Sequence, residues 1–394
     1  METFFLDVIG LVVRWLHLIT GIAWVGASFY FIWLDNSLEE PPQWKKDKGI
    51  KGDLWSFHGG GIYEVAKYKV APEKMPRNLH WFYWEAYSTW ITGMCLMFAV
   101  YYLQAPSYLV DSQAWITTPG AAIAASLCFL AGGVLVNELL IRTPLVDRQM
   151  LFGIMLFVIL CAFSWLGSNL FSARASYLHM GALVGCIMAA NVFFGIIPPQ
   201  RAFAKAVEIK DEIPDRGLQL AKLRSTHNNY FTLPVLFCMI SNHYPVFYGH
   251  RYAWAILMAI FAITAVARHY FNLKHRGIKK PSILVICALT FIALCVAMAV
   301  DKQRQDEALA AQEVDAAKVQ QIAASHCGQC HAPNPTFAGF SDAPLGMNFL
   351  TQEDFELNAE KALIAVSTNY MPLGNITQMT DEERQELLAW LSQL

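Results

Sequence analysis

Eight stretches of this chain read as long and apolar enough to cross a bilayer, and that leaves little room for any other architecture. A spanning helix needs about 20 mostly apolar residues. Segments meeting that need run over residues 8–34, 81–103, 119–141, 150–171, 176–197, 227–247, 251–273 and 281–300. Charged residues make up only 15% of the sequence, against about 25% in soluble globular domains. Much of the chain is therefore expected to lie in lipid, where backbone polar groups must pair within the protein. The spacing predicts an all-α polytopic membrane bundle of eight transmembrane helices over residues 1–300. The sixth segment contains Pro234, Asn242, His243 and Pro245 and is expected to be kinked or broken. The first opens with Glu2 and Asp7 rather than a basic region, and no small-residue cleavage site follows, so it is read as a retained helix.

Charge placement gives the orientation. Loops 35–80, 142–149, 198–226 and 274–280 hold 8, 2, 6 and 4 Lys and Arg residues. The N-terminal tail and loops 104–118, 172–175 and 248–250 together hold only Arg174. Basic loops stay in the cytoplasm, so both termini are expected outside, in the periplasm of a bacterium with the bundle in its inner membrane. The expected surroundings are a lipid bilayer, with no nucleic acid among the partners.

After Val300 the composition changes. Residues 301–318 are polar and helix-forming and read as a linker into a small domain at 319–394. Within it stands Cys327-Gly328-Gln329-Cys330-His331, the attachment signature of a c-type haem. Both thiols bond to one porphyrin, and the adjacent imidazole sits below the iron. A thioredoxin-like pair would need a βαβ pattern, and a zinc site would need a second ligand pair; neither is evident. Met371, in Tyr370-Met371-Pro372, is the candidate sixth ligand, with Met347 and Met379 as competitors. A thioether opposite His raises the reduction potential, as in cytochromes c. A capping box at Thr380 and Glu383 opens an amphipathic terminal helix. Helix with attachment motif, loop, Met-Pro and terminal helix is the order of a class I-like cytochrome c domain. The other seven cysteines fall singly in apolar runs, where small apolar fillers are the plain reading.

Ionisable side chains at membrane depth are costly and are functional candidates. His17, His179 and His243 fall in the outer half or near the middle; His80, His227 and His269 fall at inner helix ends. Arg14, His17, Gly21 and Trp24 share one helix face. Two of the outer histidines are candidate ligands of a non-covalent b-type haem, with Gly21 and Gly181 allowing close approach. Hydrogen bonds between helices explain the same residues. At the inner face, Arg224 to Thr232 reads RSTHNNYFT. Ser225 or Thr226 can cap the sixth helix, whose free N–H groups then favour an anion. Arg224 adds a planar donor fork; His227, Asn228 and Asn229 add donors and acceptors. These suit a flat anionic heterocycle, although a plain helix start in a basic loop accounts for them too. Gln200 and Arg201 belong to the same face.

Several stretches together resemble the membrane-bound bacterial urate oxidases (urate hydroxylases), which carry a fused C-terminal cytochrome c. They are Trp15-Leu16-His17 through Trp24-Val25-Gly26, Asn191 through Pro198-Pro199-Gln200, His227-Asn228-Asn229-Tyr230 through Leu233-Pro234, and Ile240-Ser241-Asn242-His243. At the C-terminus they are Cys327 to His331, Met371-Pro372 and Met379-Thr380. The resemblance spans essentially the whole chain. It implies oxidation of urate to 5-hydroxyisourate, with electrons leaving through the C-terminal haem to a terminal oxidase or soluble cytochrome. His227 is then the candidate base. A quinol–cytochrome c oxidoreductase, or a bundle that merely anchors a cytochrome, are the alternatives.

Overall fold

The structure is a computed structural model that describes residues 2–111, 114–212, 215–337 and 341–394. Eight helical segments pack into an N-terminal bundle: α1 (Glu2–Ser37), α2 (Trp84–Leu96), α3 (Pro119–Ile141), α4 (Gln149–Leu170), α5 (Ala173–Ala190), α6 (Asp215–Ser241), α7 (Ala253–His275) and α8 (Ser282–Ala310). Six of these are long and apolar enough to cross a membrane. The other two, α2 and α6, fall short by length or polarity. The α2 run widens after 13 residues into a π turn, Met97–Tyr102. In α6 the first turns are polar, DRGLQLAKLR.

Helix α5 is the axis, and α2, α3, α4, α6 and α7 all pack around it. Of its apolar window 72% is buried, against 6% for α1 and 11% for α8. Those two outer helices expose rows of large apolar side chains, Leu11, Trp15, Leu18 and Ile22 on α1 and Ile286, Leu289 and Ile292 on α8. Rows of that extent do not face water in a soluble monomer. Small residues bring the backbones close, as in membrane bundles. A Cβ on Gly133 would sit 2.0 Å from Leu183 Cδ1, and one on Gly181 would sit 2.6 Å from Cys238 Cβ.

Three features differ from the expectations above. The fold is mostly helical but not all-α, because a two-stranded antiparallel hairpin, β1 (Ile50–His58) and β2 (Gly61–Tyr68), follows α1. Gly59 and Gly60 turn it with φ of 57° and 82°, the positive-φ pair that tight hairpin turns require. Buried Lys45 pairs with Asp53 and Glu64, and Lys67 pairs with Asp35 at the end of α1. Lys222 of α6 reaches the same Asp35 at 3.2 Å. The most basic loop is thus a folded element held against α1 and α6. Second, α6 begins at Asp215, well before residue 227, and ends at Ser241. Hydropathy marks where a helix is apolar, and α6 continues as a helix beyond that point. Third, α8 runs on to Ala310 through most of the expected linker.

Beyond it, α9 (Ala316–His326), α10 (Gln352–Ser367) and α11 (Asp381–Leu391) enclose a separate core of Val319, Ile322, Phe349, Phe355, Val366, Leu387 and Leu391. Leu309, from the end of α8, belongs to that core as well. The C-terminal unit also touches the bundle. A Cβ on Gly249 would lie 2.2 Å from Thr368 Cβ, and one on Gly374 would lie 2.7 Å from the Pro106 carbonyl oxygen.

Helices α10 and α11 both open with capping boxes, Thr351 with Asp354 and Thr380 with Glu383. The Thr351 and Leu350 backbone N–H groups hold the Asp354 carboxyl below its ordinary value, and the Thr380 N–H does the same for Glu383. A carboxyl depressed in the folded state stabilises it above the unfolded value and loses that contribution as pH falls through the folded value. The C-terminal unit should therefore melt at progressively lower temperature once pH drops below about 4. Melts of Asp354→Asn and Glu383→Gln variants, followed by near-ultraviolet dichroism, should show a flatter acid limb.

Candidate functional sites

The attachment motif forms one tight turn at the end of α9. The Cys330 N–H donates to the Cys327 carbonyl at 3.2 Å, and the His331 N–H donates to the same carbonyl at 2.8 Å. Both thiols are free. His331 Nδ1 lies 2.9 Å from the Met347 carbonyl oxygen. A carbonyl can only accept, so Nδ1 carries the proton and Nε2 keeps a lone pair for a metal. The ring packs edge-on to Phe349 at 5.1 Å.

Met371 is half-buried, with its backbone fixed from two sides. Its N–H donates to the Ala365 carbonyl at 2.9 Å, and its carbonyl accepts from Arg384 Nη1 at 2.7 Å. Met379 is buried in the core, and Met347 packs against that core while its carbonyl serves His331. Two thiols on one turn, an oriented imidazole and a thioether fit the donor set of a covalent haem. The helical surroundings are not the βαβ unit of a thioredoxin-like pair.

The outer histidines make separate contacts. His179 is fully buried, with Nδ1 donating to the Ala175 carbonyl at 2.8 Å and Nε2 lying 2.7 Å from Ser126 Oγ. Tyr102 extends this chain to Ser126 at 2.8 Å, and Phe171 stacks on the ring at 4.1 Å. His17 links α1 to α2 through Thr89 O at 3.1 Å and Thr92 Oγ1 at 3.2 Å. His243 is exposed in the turn after α6. Helix-to-helix bonding thus accounts for His17 and His179. Haem ligation by His179 Nε2 would first have to displace Ser126. The approach at Gly181 is filled by Cys238.

At the inner end the capping argument does not hold, since Ser225 and Thr226 lie inside α6. Thr226 Oγ1 donates back to the Lys222 carbonyl at 2.9 Å. The free N–H groups expected there are engaged in the helix ladder. Arg224 turns its fork to Glu138 of α3, with Nη2–Oε2 at 2.8 Å and Nη1 on Oε1, and Nη1 also reaches Asn191 Oδ1 at 2.9 Å. Asn191 lies in a π turn, Asn191–Ile196, that follows α5. Pro198 and Pro199 come next and lack N–H groups for a regular ladder. Asn191 Nδ2 donates to Asn228 Oδ1 at 2.8 Å, and Asn228 Nδ2 to the Met188 carbonyl at 2.9 Å. Gly195 makes the room, because a Cβ there would fall 2.1 Å from Arg224 Cδ.

The structure brings Arg224 and Asn228 together and sends His227 and Asn229 elsewhere. His227 stacks on Phe152 of α4 at 4.9 Å, with Nδ1 unpartnered among the described residues. Asn229 Oδ1 accepts from Arg268 Nε of α7 at 3.0 Å. Tyr230 and His269 meet at 2.6 Å, and Arg201 lies over the Tyr83 ring. Sequence reasoning passed over Arg268 and Asn272, and named Asn191 only as the start of a stretch carrying the family resemblance. The signal for Arg268 was a cation inside an apolar span, one turn before Asn272.

No curated protein and no solved structure matches the chain. Residues 3–299, which contain the bundle and its buried polar network, match the model of the urate oxidase N-terminal family, and the chain belongs to that family.

Proposed function

We propose that this protein oxidises urate to 5-hydroxyisourate in the N-terminal bundle and delivers the electrons to a c-type haem held by Cys327, Cys330 and His331. The family match over the bundle carries the reading; the donor set at Cys327–His331, with Met371 as the candidate sixth ligand, supports the electron exit. Urate takes up the oxygen of one water and gives up two protons and two electrons. The haem, when bound, supplies a one-electron carrier. The site must therefore hold the purine through two successive electron losses. His227 is the candidate base: among the described residues its Nδ1 has no hydrogen-bond partner, and Phe152 packs flat on its ring. Phe152 keeps water from that face. The charge asymmetry of the loops supports a place in the inner membrane, with the C-terminal unit in the periplasm. A terminal oxidase or soluble cytochrome is the acceptor there.

Anaerobic addition of urate to purified, oxidised protein tests this. Appearance of the reduced c-type α band is the expected result, and reduction by quinol but not by urate would overturn it. In the same assay His227→Ala should lower the rate by about 10²-fold or more, the usual contribution of general-base catalysis. Full turnover in that variant would remove His227 from the mechanism.

A further inference from the structure

Among the described residues the bundle holds two buried arginines, on α6 and α7, and only one of them forms a salt bridge. Arg224 is 7% exposed and its fork is used by Glu138 and Asn191. Arg268 is 5% exposed and, among the described residues, forms no salt bridge. Its Nε donates to Asn229 Oδ1 at 3.0 Å, its guanidinium lies over the Phe29 ring at 3.8 Å, and its Nη2 has no partner among the described residues. An arginine cannot shed its proton to escape this setting. Burying a cation without a counter-charge is strongly unfavourable, and the ring face offsets only part of that cost. One turn along α7, Asn272 is also buried, and its Oδ1 has no partner among the described residues.

We infer that Arg268 and Asn272, backed by Phe29, form the recognition site for the anionic purine, and that the missing counter-charge is the substrate's. Arg268 Nη2 donates to an anionic edge, and Asn272 Oδ1 accepts from a ring N–H. A planar purine anion presents both. Asn229 is a positioning residue. It fixes the guanidinium through Nε and is itself held by its Nδ2 donating to Ser28 Oγ of α1 at 3.5 Å. Three helices, α1, α6 and α7, thus converge on one unpaired positive charge. The identity of the ligand rests on the urate reading; the anion site itself rests on the geometry.

The test uses Asn229→Asp, which places a carboxylate where Oδ1 already meets Arg268. It neutralises the arginine without removing it and keeps the side-chain shape. Binding of 8-azaxanthine, a planar purine-like anion that is not oxidised, is measured by calorimetry on full-length protein. The Kd should rise roughly tenfold or more in Asn229→Asp and in Arg268→Gln, the size of effect seen when a buried charge loses its partner. Arg268→Lys should lose less. The KM for urate should rise in parallel. Unchanged affinity in Asn229→Asp, whatever its melting temperature, would overturn the inference and leave Arg268 a structural cation. Wild-type protein that binds the analogue with this variant pattern, yet is not reduced by urate, would sink the urate reading and keep the anion site.

Discussion

Replacing Cys327 and Cys330 together with Ser should yield a chain whose bundle still folds but which carries no covalent haem. The expected result is loss of haem staining on a denaturing gel, loss of the c-type α band, and urate-dependent electron delivery reduced to background. The bundle should survive because its large apolar core, around Leu183, Phe152 and Leu257, is separate from the core around Phe355 and Leu387. A companion pair of variants separates the methionines. Met371→Leu should lower the reduction potential of the haem, since a thioether opposite His raises it. Met379→Leu should leave the potential alone and cost less than about 1.5 kcal/mol, as volume-conserving core exchanges do. A shift in potential on Met379→Leu, and none on Met371→Leu, would reassign the sixth ligand.

Glu138→Gln should be among the most damaging single changes in the bundle. It leaves Arg224 buried with its positive charge unanswered, and breaking a buried ion pair from one side costs about 3–5 kcal/mol. Thermal unfolding in detergent should show a large drop. Replacing both partners, Glu138→Leu with Arg224→Leu, should recover most of the loss, because an apolar pair of similar volume is often neutral. Affinity for the purine anion should be unchanged in that double variant, since the Arg224 Nη1 and Nη2 hydrogen bonds go to Glu138 and Asn191. A double variant that is stable but no longer binds would return Arg224 to the substrate site.

The bundle was legible because long apolar runs allow few structures. The attachment turn was legible because its chemistry is local: five consecutive residues carry two thiols and an imidazole. The Thr380–Glu383 capping box was readable for the same reason. The hairpin was also written locally, in Gly59-Gly60 between β-branched and aromatic residues, but the basic charge of that loop drew attention away from it. The start of α6 was misplaced because apolarity and helicity end at different residues. The roles of Arg224 and Arg268 were not legible at all. They depend on whether a carboxylate from a distant helix arrives; Glu138 does so for Arg224 from 86 residues away, and no such partner reaches Arg268 among the described residues.

Leu309 sits in the C-terminal core while still belonging to α8, and Gly249 and Gly374 bring the same unit flush against the bundle. The unit is therefore bolted at several points and cannot swing like a weight on a string. On the electron route proposed above, the crossing into this unit is over a set distance, at a rate independent of solvent viscosity. Onward delivery on the proposed route has the opposite character: since the unit cannot go out to search, an acceptor would have to diffuse to it.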